Sequence, residues 1–226
     1  MRRHGAAISA MLGDPEPSSC RILDVSAGIG TQSLPLAEMG FEVVARDLSP
    51  NAIRRLRREA QTRGLSIDAD TADMREVRSS VSGLFDAVVS FDNSIPHLLT
   101  DAEIRASFAE FGRLLAPGGQ LLISVRDYAS VNREPSSFHD YGERVRDGRR
   151  FRLGQQWQWR SPTHYRTTMV IEESVGESWT ELIRTDAEYY AVPLERLLQL
   201  MAEANLVADL QDEVPFFQPV LSGGAG

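Results

Sequence analysis

The sequence predicts an α/β fold. A doubly wound parallel sheet is closed by a terminal antiparallel strand pair and carries a small antiparallel β insertion. Three observations predict it. Short apolar runs alternate with helix-like segments from Arg21 to Val125. A glycine turn, Ser26-Ala27-Gly28-Ile29-Gly30, joins the first apolar run to the first helix. After Arg126 the alternation stops, and strand-like stretches follow one another with turns between them.

Each element has its own signal. Ala6 to Leu12 reads as a short helix stopped by Gly13-Asp14-Pro15. Ile22-Leu23-Asp24-Val25 is a buried parallel strand, and Thr31 to Met39 begins the helix after the turn. Phe41 to Arg46 is a second strand ending at Asp47. Ser49-Pro50 then starts a helix with a cap residue and a proline at the first helical position, running to about Arg63 and Gly64. Leu65 to Ala69 is a short third strand and Phe85 to Ser90 a fourth, rich in β-branched residues. Asp101 to Leu115 has the one-face apolar spacing of a helix, closed by Pro117-Gly118-Gly119. Gln120 to Val125 is the fifth strand. Phe151 to Arg160, Thr163 to Glu173 and Glu177 to Ala187 read as an antiparallel meander, and Pro193 to Ala204 as a late helix. Leu206 to Gln211 and Phe216 to Leu221 form the terminal pair, and Ser222 to Gly226 a frayed tail.

Composition narrows the function. Of 226 residues, 42% are hydrophobic and 25% charged, which suits a single domain with a full core. The net charge of −8 disfavours a nucleic-acid partner, which needs a basic face. Arg54, Arg55, Arg57 and Arg58 read as a solvated helix face. Cys20 is the single cysteine, so neither an intramolecular disulfide nor a cysteine metal cage is expected; it reads as a buried small hydrophobe. No acidic or histidine cluster has ligand spacing, so no metal is expected. There is no apolar run of about 18 residues and no signal-peptide pattern, so the expected location is cytoplasmic and no membrane partner is expected.

In an open parallel sheet, ligands lie beyond the carboxyl ends of the strands. Small residues in the glycine turn let backbone approach a ligand closely. Gly28-Ile29-Gly30-Thr31-Gln32-Ser33 lacks the third glycine of a dinucleotide fingerprint, which argues against a nicotinamide dehydrogenase. Asp24 can order the turn by accepting from its amides. Asp47 can accept from both hydroxyls of a ribose. Asp73 can accept from an exocyclic amine, and Met74 can pack on the ring that carries it. Asn93 can accept an amine N–H without adding a cation, and Arg126 offers a rigid fork for a carboxylate. His97 can serve as a base or as a hydrogen-bonded structural histidine. Tyr128, Tyr165, Tyr189 and Tyr190 are candidates for steering an amine or cradling a sulfonium, with core packing as the alternative. Trp157 and Trp159 share one strand face and read as packing residues.

The turn with its Asp24 resembles the first motif of class I S-adenosylmethionine-dependent methyltransferases. Phe91-Asp92-Asn93-Ser94-Ile95-Pro96-His97-Leu98, Leu115-Ala116-Pro117-Gly118-Gly119 and Val125-Arg126-Asp127-Tyr128 resemble the glycine and sarcosine N-methyltransferase branch of that superfamily. The resemblance implies a Rossmann-like class I methyltransferase sheet: one domain over residues 1–226 with a substrate-side antiparallel insertion at about 130–190. It implies S-adenosyl-L-methionine as cofactor. Ser26, Gly28 and Gly30 would line its methionine part, Asp47 would hold its ribose and Asp73 and Met74 its adenine, with Asp24, Ala27 and Leu48 also among the cofactor-binding residues. Phe91 would pack near the nucleoside through its backbone, and Ser94 and His97 would stand near the cofactor. Asn93, Arg126, His97 and Tyr189 would carry acceptor binding and catalysis.

Two departures stand out. Asp92 occupies a position that is usually uncharged in that branch. Only about twenty residues precede the first strand, where the family carries a longer arginine-bearing segment; Arg2 or Arg3 is a stand-in for its methionine-carboxylate arginine, unless the natural chain starts earlier. The expected activity is methylation of a small molecule, above all N-methylation of an amino acid or related amine. An O-methyltransferase of a secondary-metabolite pathway and a cofactor-binding, non-catalytic homologue are the alternatives. The expected partners are a small-molecule amine or carboxylate and, in a homo-oligomer, a second copy of the chain.

Overall fold

Strand order in the larger sheet follows from which apolar runs are buried on both faces. The computed structural model describes residues 2–176 and 178–225. It divides the chain into two compact units. The first takes the residues up to Ile95, Thr100–Asp127 and those from Pro193 onward; the second takes Pro96–Leu99 and Tyr128–Val192.

The first unit holds a seven-stranded sheet. Its strands are β1 (Arg21–Asp24), β2 (Glu42–Asp47), β3 (Asp68–Thr71), β4 (Phe85–Ser90), β5 (Leu115–Ser124), β10 (Leu206–Gln211) and β11 (Val220–Ala225), in the order β10-β11-β5-β4-β1-β2-β3. The first five pair in parallel; β11 runs antiparallel to β5, and β10 to β11. Ile22 and Leu23, and Ala87, Val88 and Val89, are all fully buried although successive side chains point to opposite faces. Only a sheet covered on both sides buries such runs. The cover comes from α1 (Arg2–Met11), α2 (Ser33–Glu38), α3 (Pro50–Thr62), α4 (Asp101–Gly112) and α5 (Leu194–Glu203). Ser49 caps α3 by accepting from the Ala52 amide at 3.3 Å, a cap worth about 1 kcal/mol.

The second unit is a four-stranded antiparallel sheet in chain order: β6 (Ser136–Arg146), β7 (Arg149–Trp159), β8 (His164–Val175) and β9 (Ser178–Tyr190). Trp157 and Tyr165 stack at 4.8 Å at its buried end, as Trp157 packing requires. Among the described residues, no helix is long and apolar enough to cross a membrane.

Several elements differ from expectation. The third strand is Asp68–Thr71, not Leu65 to Ala69. Leu65 instead donates its amide to Ala60 O at 2.9 Å and closes α3, so pairing begins only at Asp68 opposite Val44. The fourth helix stops at Gly112, and Leu115 already pairs with Phe85. Pro117-Gly118-Gly119 is therefore no helix terminator but a bulge inside β5, where the register jumps to Ala87 opposite Gln120. A whole strand, β6, goes unforeseen: it is an edge strand, exposed along nearly all its length, with no apolar alternation to betray it. The last strand is Val220–Ala225, so residues to Ala225 are paired rather than frayed. A Cβ on Gly223 would stand 2.8 Å from Ala208 Cβ, so the close passage of β11 beside β10 requires glycine there. The third meander strand was expected to start at Glu177, which lies outside the described residues; the strand described starts at Ser178.

Candidate active site at the strand ends

Five parallel strands bring five polar termini to one edge of the first unit. Asp24 ends β1 and is 1% exposed. Its Oδ1 accepts from the Ser26 amide at 3.2 Å and its Oδ2 from the Ser33 hydroxyl at 2.6 Å. Burial pushes its carboxyl up to about 7; the Ser33 and Ser26 bonds pull it down, while Asp47 and Asp92 push it further up. The carboxylate therefore orders the turn, as expected. Ser33, noticed only as a missing glycine, turns out to be its hydrogen-bond donor.

The turn is tied at both ends. Ala27 donates to Arg46 O at 3.0 Å, and Gly30 donates to Ala27 O at 2.8 Å. Ser26 and Ser90 share a hydroxyl hydrogen bond at 2.9 Å, which joins the turn to the end of β4. The Ala27 methyl is buried with Ile53 and Leu56, so only its backbone can meet a ligand. Gly28 and Gly30 both have positive φ but for different reasons. A Cβ on Gly30 would lie 2.8 Å from Leu34 Cγ and 3.1 Å from Leu56 Cγ; one on Gly28 would meet nothing within 4 Å. Gly30→Ala should thus destabilise the fold by about 3 kcal/mol, from left-handed strain plus overpacking, seen as a lower urea midpoint at unchanged slope. Gly28→Ala should cost only the backbone strain.

Asp47 ends β2 and bridges two segments. Its Oδ2 accepts from the Gly28 amide and its Oδ1 from the Ser49 amide, each at 2.8 Å. Leu48 beside it is 68% exposed and Ile29 in the turn 53%, two apolar side chains left in the open. Asp73, beyond β3, is forked onto Arg75, at 2.6 Å from Oδ2 to Nη2, and this pairing holds its carboxyl below the usual carboxylate range. Arg75 also meets Glu103 at 2.5 Å. Met74 is half-buried.

Beyond β4 lie Phe91, buried and edge-on to Phe216 at 5.2 Å, and Ser94, whose hydroxyl donates to Phe91 O at 2.8 Å. Asn93 is buried, and its Oδ1 accepts from the Arg126 amide at 2.9 Å. Its expected acceptor oxygen thus already holds the segment that follows β5. Arg126 is half-buried. His97 and Tyr189 belong to the second unit, where their rings stand 4.1 Å apart; Tyr189 stacks in turn on Tyr165 at 5.1 Å. Tyr128 and Tyr165 are buried and share a hydroxyl hydrogen bond at 2.9 Å, so these two are packing residues. The basic cluster on α3 is partly structural: Arg57 donates to Ala69 O at 2.9 Å and pins β3. The Arg2 side chain lies outside the described residues; Arg3 is exposed on α1.

Sequence reasoning missed Gln32, Ser124 and Gln218, all polar and all bonded to the strand-end residues. Nothing in their spacing marked them. A groove of about 470 Å³ lies on the second unit, lined by Phe138, Arg152, Thr168 and Glu172 among others; none of the expected site residues lines it. Among the described residues, no group of three or more His, Cys, Asp or Glu is placed to hold a metal.

A glycine turn after β1, an acid closing β2 and a last strand antiparallel to β5 define a class I methyltransferase architecture. Residues 22–119 match the family model described as a methyltransferase domain. Over that stretch the chain matches a methyltransferase domain, and it resembles the class I, S-adenosylmethionine-dependent methyltransferases, in particular their glycine/sarcosine N-methyltransferase branch. A glycine/sarcosine N-methyltransferase of Parasynechococcus marenigrum (strain WH8102) is 37% identical over 107 residues, 47% of this chain and 38% of that protein. A ubiquinone biosynthesis O-methyltransferase of Xanthomonas axonopodis pv. citri (strain 306) is 31% identical over 123 residues, 54% of this chain and 48% of that protein. The chain spans less than half the length of both relatives. Among solved structures, S-adenosylmethionine-bound CalS10, an amino pentose methyltransferase from Micromonospora echinaspora, matches with a TM-score of 0.82 at 18% identity. The match covers 100% of this chain and 91% of that one, a likeness of fold.

Proposed function

We propose that this chain transfers a methyl group from S-adenosyl-L-methionine to the nitrogen of a small amine, an amino acid or a related amine carboxylate. The observation that carries the reading is Asp47: one carboxylate joins the Gly28 turn to the end of β2 while open space remains above Gly28. An acid flanked by exposed Leu48 and Ile29 suits a ribose with an apolar base beside it. The donor, when bound, supplies an electrophilic methyl on a positively charged sulfur.

The chain's own residues position and dry the reaction. Asp47 holds the ribose hydroxyls with the lone pairs its backbone donors leave. Ser26, Ala27, Gly28 and Gly30 line the methionine part, chiefly by backbone, with Asp24 ordering their turn. Met74 packs on the adenine, and Asp73 accepts from its amine with capacity that Arg75 leaves. Phe91 and Ser94 wall the nucleoside. Asn93 contacts the acceptor amine through its amide oxygen. Arg126 binds a carboxylate.

Calorimetry with S-adenosylhomocysteine and transfer of label from the donor to glycine or sarcosine test the reading; absence of both overturns it. Arg126→Ala should raise KM for an amino-acid acceptor about tenfold or more with little change in kcat, the loss of a charge-assisted contact made equally in ground and transition states. An unchanged KM would point to an acceptor without a carboxylate. A second reading, methylation of an oxygen, is favoured by the Xanthomonas relative, and a phenolic acceptor in the same assay decides it.

A further inference from the structure

We infer that Asp92 selects the acceptor by docking substrates that arrive as ammonium ions and lose one proton to solvent water before the neutral nitrogen attacks, and that the buried amide of Gln32 positions its carboxylate for this. The inference rests on the methyltransferase reading above and names the charge state of its acceptor.

Gln32 is 3% exposed, and its Nε2 donates to Asp92 Oδ2 at 3.0 Å. It sits at the N-cap of α2 yet makes no side-chain cap bond there. Its amide is spent on Asp92 instead. Asp92 is exposed, and its Oδ1 has no hydrogen-bond partner among the described residues. One carboxylate oxygen is thus clamped from below and the other presented outward.

The backbone fixes where that oxygen stands. Asp92 and Asn93 have φ of 60° and 63°, two consecutive non-glycine residues in the left-handed region. Such a pair persists only where its surroundings determine it. Here Asp92 N donates to Ser124 Oγ at 2.9 Å, Asn93 N to Ser124 O at 3.2 Å, and Ser124 Oγ to Gln218 Oε1 at 3.2 Å. The outcome is a fixed anion immediately before the residue proposed to contact the acceptor amine. A fixed carboxylate there attracts an ammonium group and repels an acceptor that approaches with its own carboxylate foremost. It gives no advantage to a neutral hydroxyl acceptor.

The test uses the full chain as wild type, Asp92→Asn, Asp92→Glu and Gln32→Met. Calorimetry gives S-adenosylhomocysteine affinity. Binding of glycine, sarcosine and glucosamine to the product-loaded chain, and their labelling rates, give the acceptor side. Asp92→Asn should keep product affinity within about threefold, while raising the KM of ammonium acceptors about tenfold or more at nearly constant kcat. Asp92→Glu should recover part of the loss, and Gln32→Met should shift KM in the same direction by less. An Asp92→Asn chain with wild-type KM overturns the inference. So does equal weakening of product and acceptor, or a product-loaded wild type that binds none of the three amines. A wild type that fails to bind S-adenosylhomocysteine takes the methyltransferase reading down with it, a separate and earlier failure.

Discussion

Asp47→Ala is expected to weaken S-adenosylhomocysteine binding about 100-fold and to lower stability by about 1–3 kcal/mol. Two effects combine. The Gly28 and Ser49 amides each lose a carboxylate acceptor at 2.8 Å, a charge-assisted type of bond whose loss is felt in the fold. The proposed ribose acceptor disappears at the same time. Asp47→Asn separates them, because its amide oxygen can keep one backbone donor while the charge is lost. Calorimetry and urea unfolding on both variants read the two parts independently. If alanine changed stability but left product affinity near wild type, Asp47 would be a turn-ordering residue and the ribose assignment would fall.

Asp24→Asn is expected to flatten the pH dependence of stability. The folded carboxyl titrates near 7, against 3.8 for the free side chain, so the native state holds a proton that the unfolded chain releases. The contribution is fully present below about pH 4 and is lost as pH rises through about 7. Its ceiling is about 4 kcal/mol, from roughly three pKa units. Asparagine keeps an oxygen for the Ser26 amide and an NH2 for Ser33, whose hydroxyl can turn to accept. The variant should therefore match wild type near pH 4 and exceed it at pH 8. Urea midpoints at the two pH values decide the matter; parallel shifts of both proteins would show that Asp24 is ionised in the fold throughout.

How much of this was legible depended on whether a side chain advertised its surroundings. The runs of β1, β2 and β4 were legible because strands buried on both faces must be apolar without interruption. The Ser49-Pro50 start was legible because capping chemistry is local. β6 was not, since an exposed edge strand has no buried face to impose a pattern. β11 was misplaced because Phe216 looked like a strand residue; it packs instead on Phe91, while featureless Gly223 and Gly224 do the pairing. At the site, Asp24 and Asp47 stood out as acids ending strands. Gln32 did not, because its partner is 60 residues away.

The sequence by itself determined the alternation of elements, the glycine turn and the acids at the strand ends, all products of short-range periodicity and local backbone chemistry. The tertiary structure alone decided which lone pairs those acids have already committed. It also decided that a buried glutamine holds Asp92, and that two residues after β4 adopt left-handed backbone. Those outcomes depend on atoms brought together across the sheet, where proximity is set by strand order rather than by distance along the chain.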